Sequence, residues 1–138
     1  MARRSRAREV ALQVLYADDL NPDRDRRATD EFIQRRLRHH DDLLQLARSL
    51  VGGVRRNREE LDQLIAARAA NWTMERMAVI DRNILRIGAY EILYTDTPGR
   101  VSINEAIELA KRFGGAQSPQ FVNGVLDRIL HDLRQSDV

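Results

Sequence analysis

The segment Val101–Leu130, VSINEAIELAKRFGGAQSPQFVNGVLDRIL, constrains the fold more than any other part of the chain. Ser102 and Glu105 have the S-x-x-E spacing of a capping box, and Val101 and Ala106 are placed to staple it. Ile103, Ala106, Ile107, Ala110 and Phe113 then recur at helical spacing until Gly114-Gly115 ends the run. Ser118-Pro119 predicts a second helix start, with Ser118 as N-cap and Pro119 at the first helical position. Phe121, Val122, Val125, Leu126, Ile129 and Leu133 cover one half of that helix. Gly124 falls on the polar half, beside Asp127, Arg128 and His131. A glycine inside a helix costs about 1 kcal/mol relative to alanine. Its presence there predicts that something approaches the backbone closely at Gly124.

The same period recurs along the chain. Ala7–Leu20 reads as a helix that is apolar nearly all round, through Val10, Ala11, Leu12, Val14, Leu15 and Tyr16, and is therefore central. Asn21-Pro22-Asp23 is a turn, Arg24–Ala28 a charged loop, and Thr29 or Asp30 the cap of a short helix carrying Phe32, Ile33 and Leu37. His39-His40 sits at its end, where a helix C-terminus favours a histidine. Asp41 or Asp42 opens a helix bearing Leu43, Leu46, Ala47, Leu50, Val51 and Val54, and Asn57 with Glu60 resembles another capping box. After the break at Asn71-Trp72-Thr73, a long helix is predicted from Met74 to Tyr94, with Trp72 and Met77 as packing residues. No useful β-period occurs. The expectation is an all-α fold of six to seven helices in two packed sub-bundles, about 1–70 and about 71–138, forming one domain.

Composition narrows the chemistry. Without cysteine there are no disulfides and no thiolate metal sites, and no apolar run approaches the ~18 residues of a membrane span. A cytoplasmic protein is expected, with no membrane contact. The formal charge of +2 is unevenly placed, because residues 1–8 hold Arg3, Arg4, Arg6 and Arg8 and no acid. Such an arm, or protruding first turn, suits contact with nucleic acid. Catalysis is not expected. The three histidines form no metal motif, and the acid pairs Asp18-Asp19, Asp41-Asp42 and Glu59-Glu60 lie near helix ends. No G-x-S-x-G elbow exists, so neither catalytic residues nor cofactor or metal ligands are assigned.

Three stretches carry a resemblance. Arg4–Tyr16 (RSRAREVALQVLY), Asp81–Glu91 (DRNILRIGAYE) and the pair VSINEAIELAKRFGG and FVNGVLD are similar, in order and spacing, to the NusB family of bacterial transcription antitermination factors. Residues 21–40 carry no part of the pattern. The resemblance implies a NusB-like helical fold and a non-enzymatic RNA-binding role at ribosomal RNA operons. The partners it implies are boxA-type single-stranded RNA, the small-subunit ribosomal protein NusE, and the RNA polymerase antitermination complex. It implies RNA contacts at Arg3, Arg4, Arg6, Arg8, Gln117, Ser118, Gln120, Phe121 and Asn123, and NusE contacts at Glu75, Asp81 and Arg82. Gln117 stands where many relatives have an acidic residue. Arginine forks suit phosphates, the start of the helix at Ser118 favours an anion, and Phe121 is placed either to stack a base or to pack in the core. Monomer and homodimer are both compatible with the sequence. Two other readings remain open here. One is a free-standing relative of the NusB-like domain of rRNA cytosine methyltransferases, against which the short chain argues. The other is a helical module that binds protein only.

Overall fold

The computed structural model describes residues 3–70 and 72–136, except the side chains of Arg3 and Ser136. Among the described residues seven α-helices occur: α1 (Arg3–Leu20), α2 (Arg26–Arg36), α3 (Asp41–Arg56), α4 (Arg58–Arg68), α5 (Val79–Tyr94), α6 (Gly99–Phe113) and α7 (Ser118–Ser136). They divide into two compact units, residues 1–56 and 57–138. The division falls earlier than the join near Asn71 that the sequence suggests, because α4 packs on α5 and α7. Asn71 itself lies outside the described residues.

In the first unit α1 packs along α3, and α2 closes against both. Ala7, Val10, Ala11, Leu12, Val14 and Leu15 are all buried, as the wide apolar surface of α1 requires. Tyr16 departs from that pattern and stays 37 % exposed. The arginine-rich start is no separate arm, since α1 is helical from Arg3. The expected loop Arg24–Ala28 is mostly helix, because Asp25 supplies the cap and accepts from the Arg27 N–H at 2.9 Å. That frees the two residues expected to cap. Thr29 is buried and accepts from Arg24 (3.1 Å) and Arg55 (3.4 Å), while Asp30 pairs with Arg48 at 2.9 Å. Asp18 anchors the same cluster through a two-pronged bond from Arg55 at 2.8 and 2.9 Å.

In the second unit α6 and α7 form an antiparallel pair against α5. Ten successive residues of α5, from Asn83 to Ile92, are buried. The charged members of that run need partners. Arg86 takes Asp62 at 2.7 and 2.9 Å and Asn83 Oδ1 at 3.0 Å. Gly88 permits a close helix approach, because a Cβ there would stand 2.6 Å from Leu126 Cδ1. Gly124 does not, for a Cβ built on it meets nothing within 4 Å. The close approach expected at Gly124 is therefore made on α5 instead.

The helix starts also differ from expectation. α6 begins at Gly99, where the Pro98 carbonyl accepts from the N–H groups of Val101 (2.9 Å) and Ser102 (3.1 Å). Ser102 consequently sits in the second turn, buried, with no partner for its hydroxyl among the described residues. Asn57 stands at the N-cap of α4 but makes no side-chain capping bond. The helix expected from Met74 is interrupted, with a single 3-10 turn at Met74–Arg76 and α5 starting at Val79. Met77 and Ala78 between them are extended, which turns Met77 into the core at 4 % exposure.

Candidate RNA-facing groove

The turn joining α6 to α7 is shaped by one serine. The Ser118 hydroxyl accepts from the Gly115 N–H at 2.9 Å, and the Ser118 N–H returns a bond to the Gly115 carbonyl at 3.1 Å. Ser118 thus ties the turn instead of capping α7 as expected. A Cβ on Gly114 would lie 2.5 Å from that hydroxyl oxygen, so glycine is required for the tie. The extended segment at Met77-Ala78 faces this turn, and a groove of about 670 Å³ opens between them.

Trp72, Met77, Ala78 and Phe121 supply its apolar walls, and Arg76, Asp81 and the Gly115–Ser118 turn its polar rim. Trp72 is 50 % exposed, and its ring meets Phe121 edge-on, with centroids 6.3 Å apart and planes at 67°. A flat aromatic group entering the groove finds a ring face to lie on. Asp81, which lines the groove, has a buried Oδ1 that makes no hydrogen bond among the described residues.

The residues singled out in the sequence distribute unevenly. Gln117, Ser118 and Phe121, expected at RNA, share the groove with Asp81, expected at a protein partner. Gln117 is exposed, whereas Ser118 is 5 % exposed with its hydroxyl committed to the turn. Gln120 and Asn123 are exposed on α7. Glu75 is exposed in the 3-10 turn, and Arg82 Nη1 donates to the Met74 carbonyl at 3.1 Å, which fixes that turn to α5. In the first unit Arg4 and Arg6 are exposed, and Arg6 Nη2 reaches the Arg36 carbonyl at 3.1 Å. Arg8 is a correction. It is 2 % exposed, on the stripe it shares with Ala11, Leu12 and Leu15, and cannot grip a phosphate on the surface. The side chain of Arg3 lies outside the described residues. Trp72 and Arg76 were missed as site residues. Their signal was a tryptophan placed in a stretch without apolar period.

Helices in two units, with an aromatic groove and an arginine-bearing helix start, define an all-α protein that acts by binding. The NusB family matches residues 5–131. The transcription antitermination protein NusB of Anaeromyxobacter dehalogenans is 44 % identical over 132 residues, which cover 96 % of this chain and 93 % of that protein. NusB of T. maritima has a solved structure with a TM-score of 0.85 at 32 % identity, covering 99 % of each chain. A crystal structure of the antitermination factors NusB and NusE in complex with double-stranded RNA contains a chain matching at 29 % identity and a TM-score of 0.83. The match covers 96 % of this chain and 99 % of that one. The chain belongs to the NusB family.

Proposed function

We propose that the chain is a non-catalytic, cytoplasmic transcription antitermination factor that binds boxA-type RNA together with NusE and so helps RNA polymerase resist termination. The observation that carries the site is the groove in which Phe121 and Gln117 face an exposed tryptophan, within a chain that belongs to the NusB family. Trp72 and Phe121 hold an unpaired base, and Gln117 bonds to its edge. Arg4 and Arg6 engage phosphates as exposed forks. Asp81 and Glu75 serve the protein partner, and their closeness to the base-binding wall couples the two ligands.

The test is RNA affinity across a salt series, with and without NusE, for the intact chain and for Arg4→Gln/Arg6→Gln. Substitution is preferable to deleting residues 1–8, since Ala7 and Arg8 are buried. Loss of two phosphate contacts lowers the slope of log K against log salt by about 1.4 for single-stranded RNA. An unchanged slope would remove these arginines from the site. Absence of RNA binding even with NusE present would sink the proposed function.

A further inference from the structure

The arginines of the first unit differ in whether the fold holds them. Arg24, Arg36, Arg48 and Arg55 are held by Asp18, Gln13, Asp30 and Thr29, and Arg8 is buried. Arg27, Arg35 and Arg38 are exposed and make no ion pair or side-chain hydrogen bond among the described residues. At roughly 100° per residue, Arg27, Gln34 and Arg35 share the solvent sector of α2, while Thr29 and Ile33 occupy the opposite, buried side. Arg38 follows in the turn after the helix, and with Glu31, Gln34 and Arg35 it lines a shallow hollow of about 360 Å³. Arg27 and Arg35 are about 12 Å apart along the axis. The bond from Arg6 to the Arg36 carbonyl joins this surface to the start of α1. Arginines kept at helical spacing without partners leave their forks for an external anion, and a row of them matches a chain of phosphates better than a single ion.

We propose that the outer face of α2 is a second RNA-backbone surface, engaging phosphates of nucleotides beyond the boxA element through Arg27, Arg35 and Arg38. It rests on the RNA-binding reading above and extends it to a segment that carries none of the family's sequence pattern. Glu31 is the one acid within the sector and weakens the surface. Gln34 donates to phosphate or sugar oxygens and carries no charge.

The test compares two RNAs, a boxA oligomer alone and the same oligomer extended at both ends with unstructured nucleotides, against the intact chain, Arg27→Gln/Arg35→Gln/Arg38→Gln and Glu31→Gln. The intact chain is expected to bind the longer RNA more tightly and with a steeper salt dependence. The triple variant should lose that advantage, on the order of 10-fold at low salt, with its slope reduced by about 2, and should keep its affinity for the short RNA. Glu31→Gln should strengthen binding of the longer RNA alone. If the triple variant and the intact chain bind the longer RNA alike, the α2 surface serves something else, such as an acidic protein, and the inference is overturned while the boxA reading stands. If the intact chain binds neither RNA, with or without NusE, the functional reading fails and the inference with it. Equal melting temperatures for the variants show that any loss is not unfolding, as the exposure of the three side chains leads one to expect.

Discussion

Replacing Gly88 by alanine tests the packing of α5 against α7 where the Leu126 side chain lies against the glycine. The added carbon would stand 2.6, 3.2 and 3.5 Å from Leu126 Cδ1, Cδ2 and Cγ, against the ~3.5–4.0 Å of comfortable carbon contact. Leucine methyls end a rotatable side chain, but Leu126 is 0 % exposed and has no solvent to swing into. Overpacking of this kind costs about 1–3 kcal/mol, and the gain from alanine in a helix offsets about 1 kcal/mol. The net loss is therefore about 1 kcal/mol, a fall in Tm of roughly 3–5 °C for a domain of this size. Gly124→Ala is the matched control. Its new methyl meets nothing within 4 Å, so only the helix gain remains and the protein should become more stable by up to about 1 kcal/mol. Urea unfolding of both variants reads the two signs directly. Gly88→Ala with Leu126→Val should recover part of the loss in a double-mutant cycle, because the shorter side chain vacates the clash. If Gly88→Ala proves as stabilising as Gly124→Ala, the close-approach reasoning is refuted.

Three further outcomes are expected. Asp62→Asn removes the carboxylate that Arg86, 4 % exposed, meets at 2.7 and 2.9 Å, and should cost roughly 2–3 kcal/mol, below the ~3–5 of a fully buried pair since Asp62 is 26 % exposed and Arg86 keeps its bond to Asn83. Asp132→Asn, whose partner Arg68 it meets at 49 % exposure, should cost under about 1 kcal/mol, and equal unfolding losses for the two variants would contradict this ranking. Tyr94, bonded to Glu60, has its hydroxyl pKa pushed up to about 12, so the ultraviolet titration of Tyr94 should run late and return toward 10.0 in Glu60→Gln. The folded value lies above the unfolded one, so this bond supports the fold below pH ~10 and is lost as pH rises through about 12. Phe121→Ala should weaken RNA binding by about 1–3 kcal/mol, the worth of one stacked base, and Trp72→Ala likewise. A fall in stability with unchanged RNA affinity would make Phe121 a packing residue.

Periodicity made the helices legible, and local chemistry made their ends less so. The runs on α3, α6 and α7 are long and one-sided, that on α1 is apolar nearly all round, and each is where the sequence places it. Ser102 looks like a cap because a serine stands three residues before a glutamate, yet Pro98 begins that helix a turn earlier and the serine is carried into the core. Thr29 likewise reads as a cap until Arg24 and Arg55 claim its hydroxyl. In both cases the deciding partner is remote in sequence or silent in the motif. The glycines teach the same lesson. A glycine on a polar face looks anomalous in one helix, but only the position of the other helix says whether a methyl fits, and it fits at Gly124 and not at Gly88.

The site was legible as composition before it was legible as geometry. Residues 1–56 hold thirteen arginines against nine acidic residues, and residues 57–138 ten basic against twelve, so the basic excess is confined to the first unit. Charge counting alone assigns that excess to the first eight residues, because the rest of the chain then sums to a small negative value. Folding redistributes it. Arg8 is withdrawn into the core, Arg24 and Arg55 share one aspartate, and Arg36 lies over Phe32 while bonding Gln13. What remains exposed and unpaired on α2 is a set that no local motif marks, since it is defined by which arginines the packing leaves over. The groove has the same origin. Trp72 and Phe121 are far apart in sequence, the first reading as a packing residue and the second as either a stacking or a packing one; the break at Met77-Ala78 and the turn at Gly114–Ser118 bring them together, edge-on, in one groove. The surface proposed for a polyanion and the slot proposed for a base are thus both made by what the core does not consume.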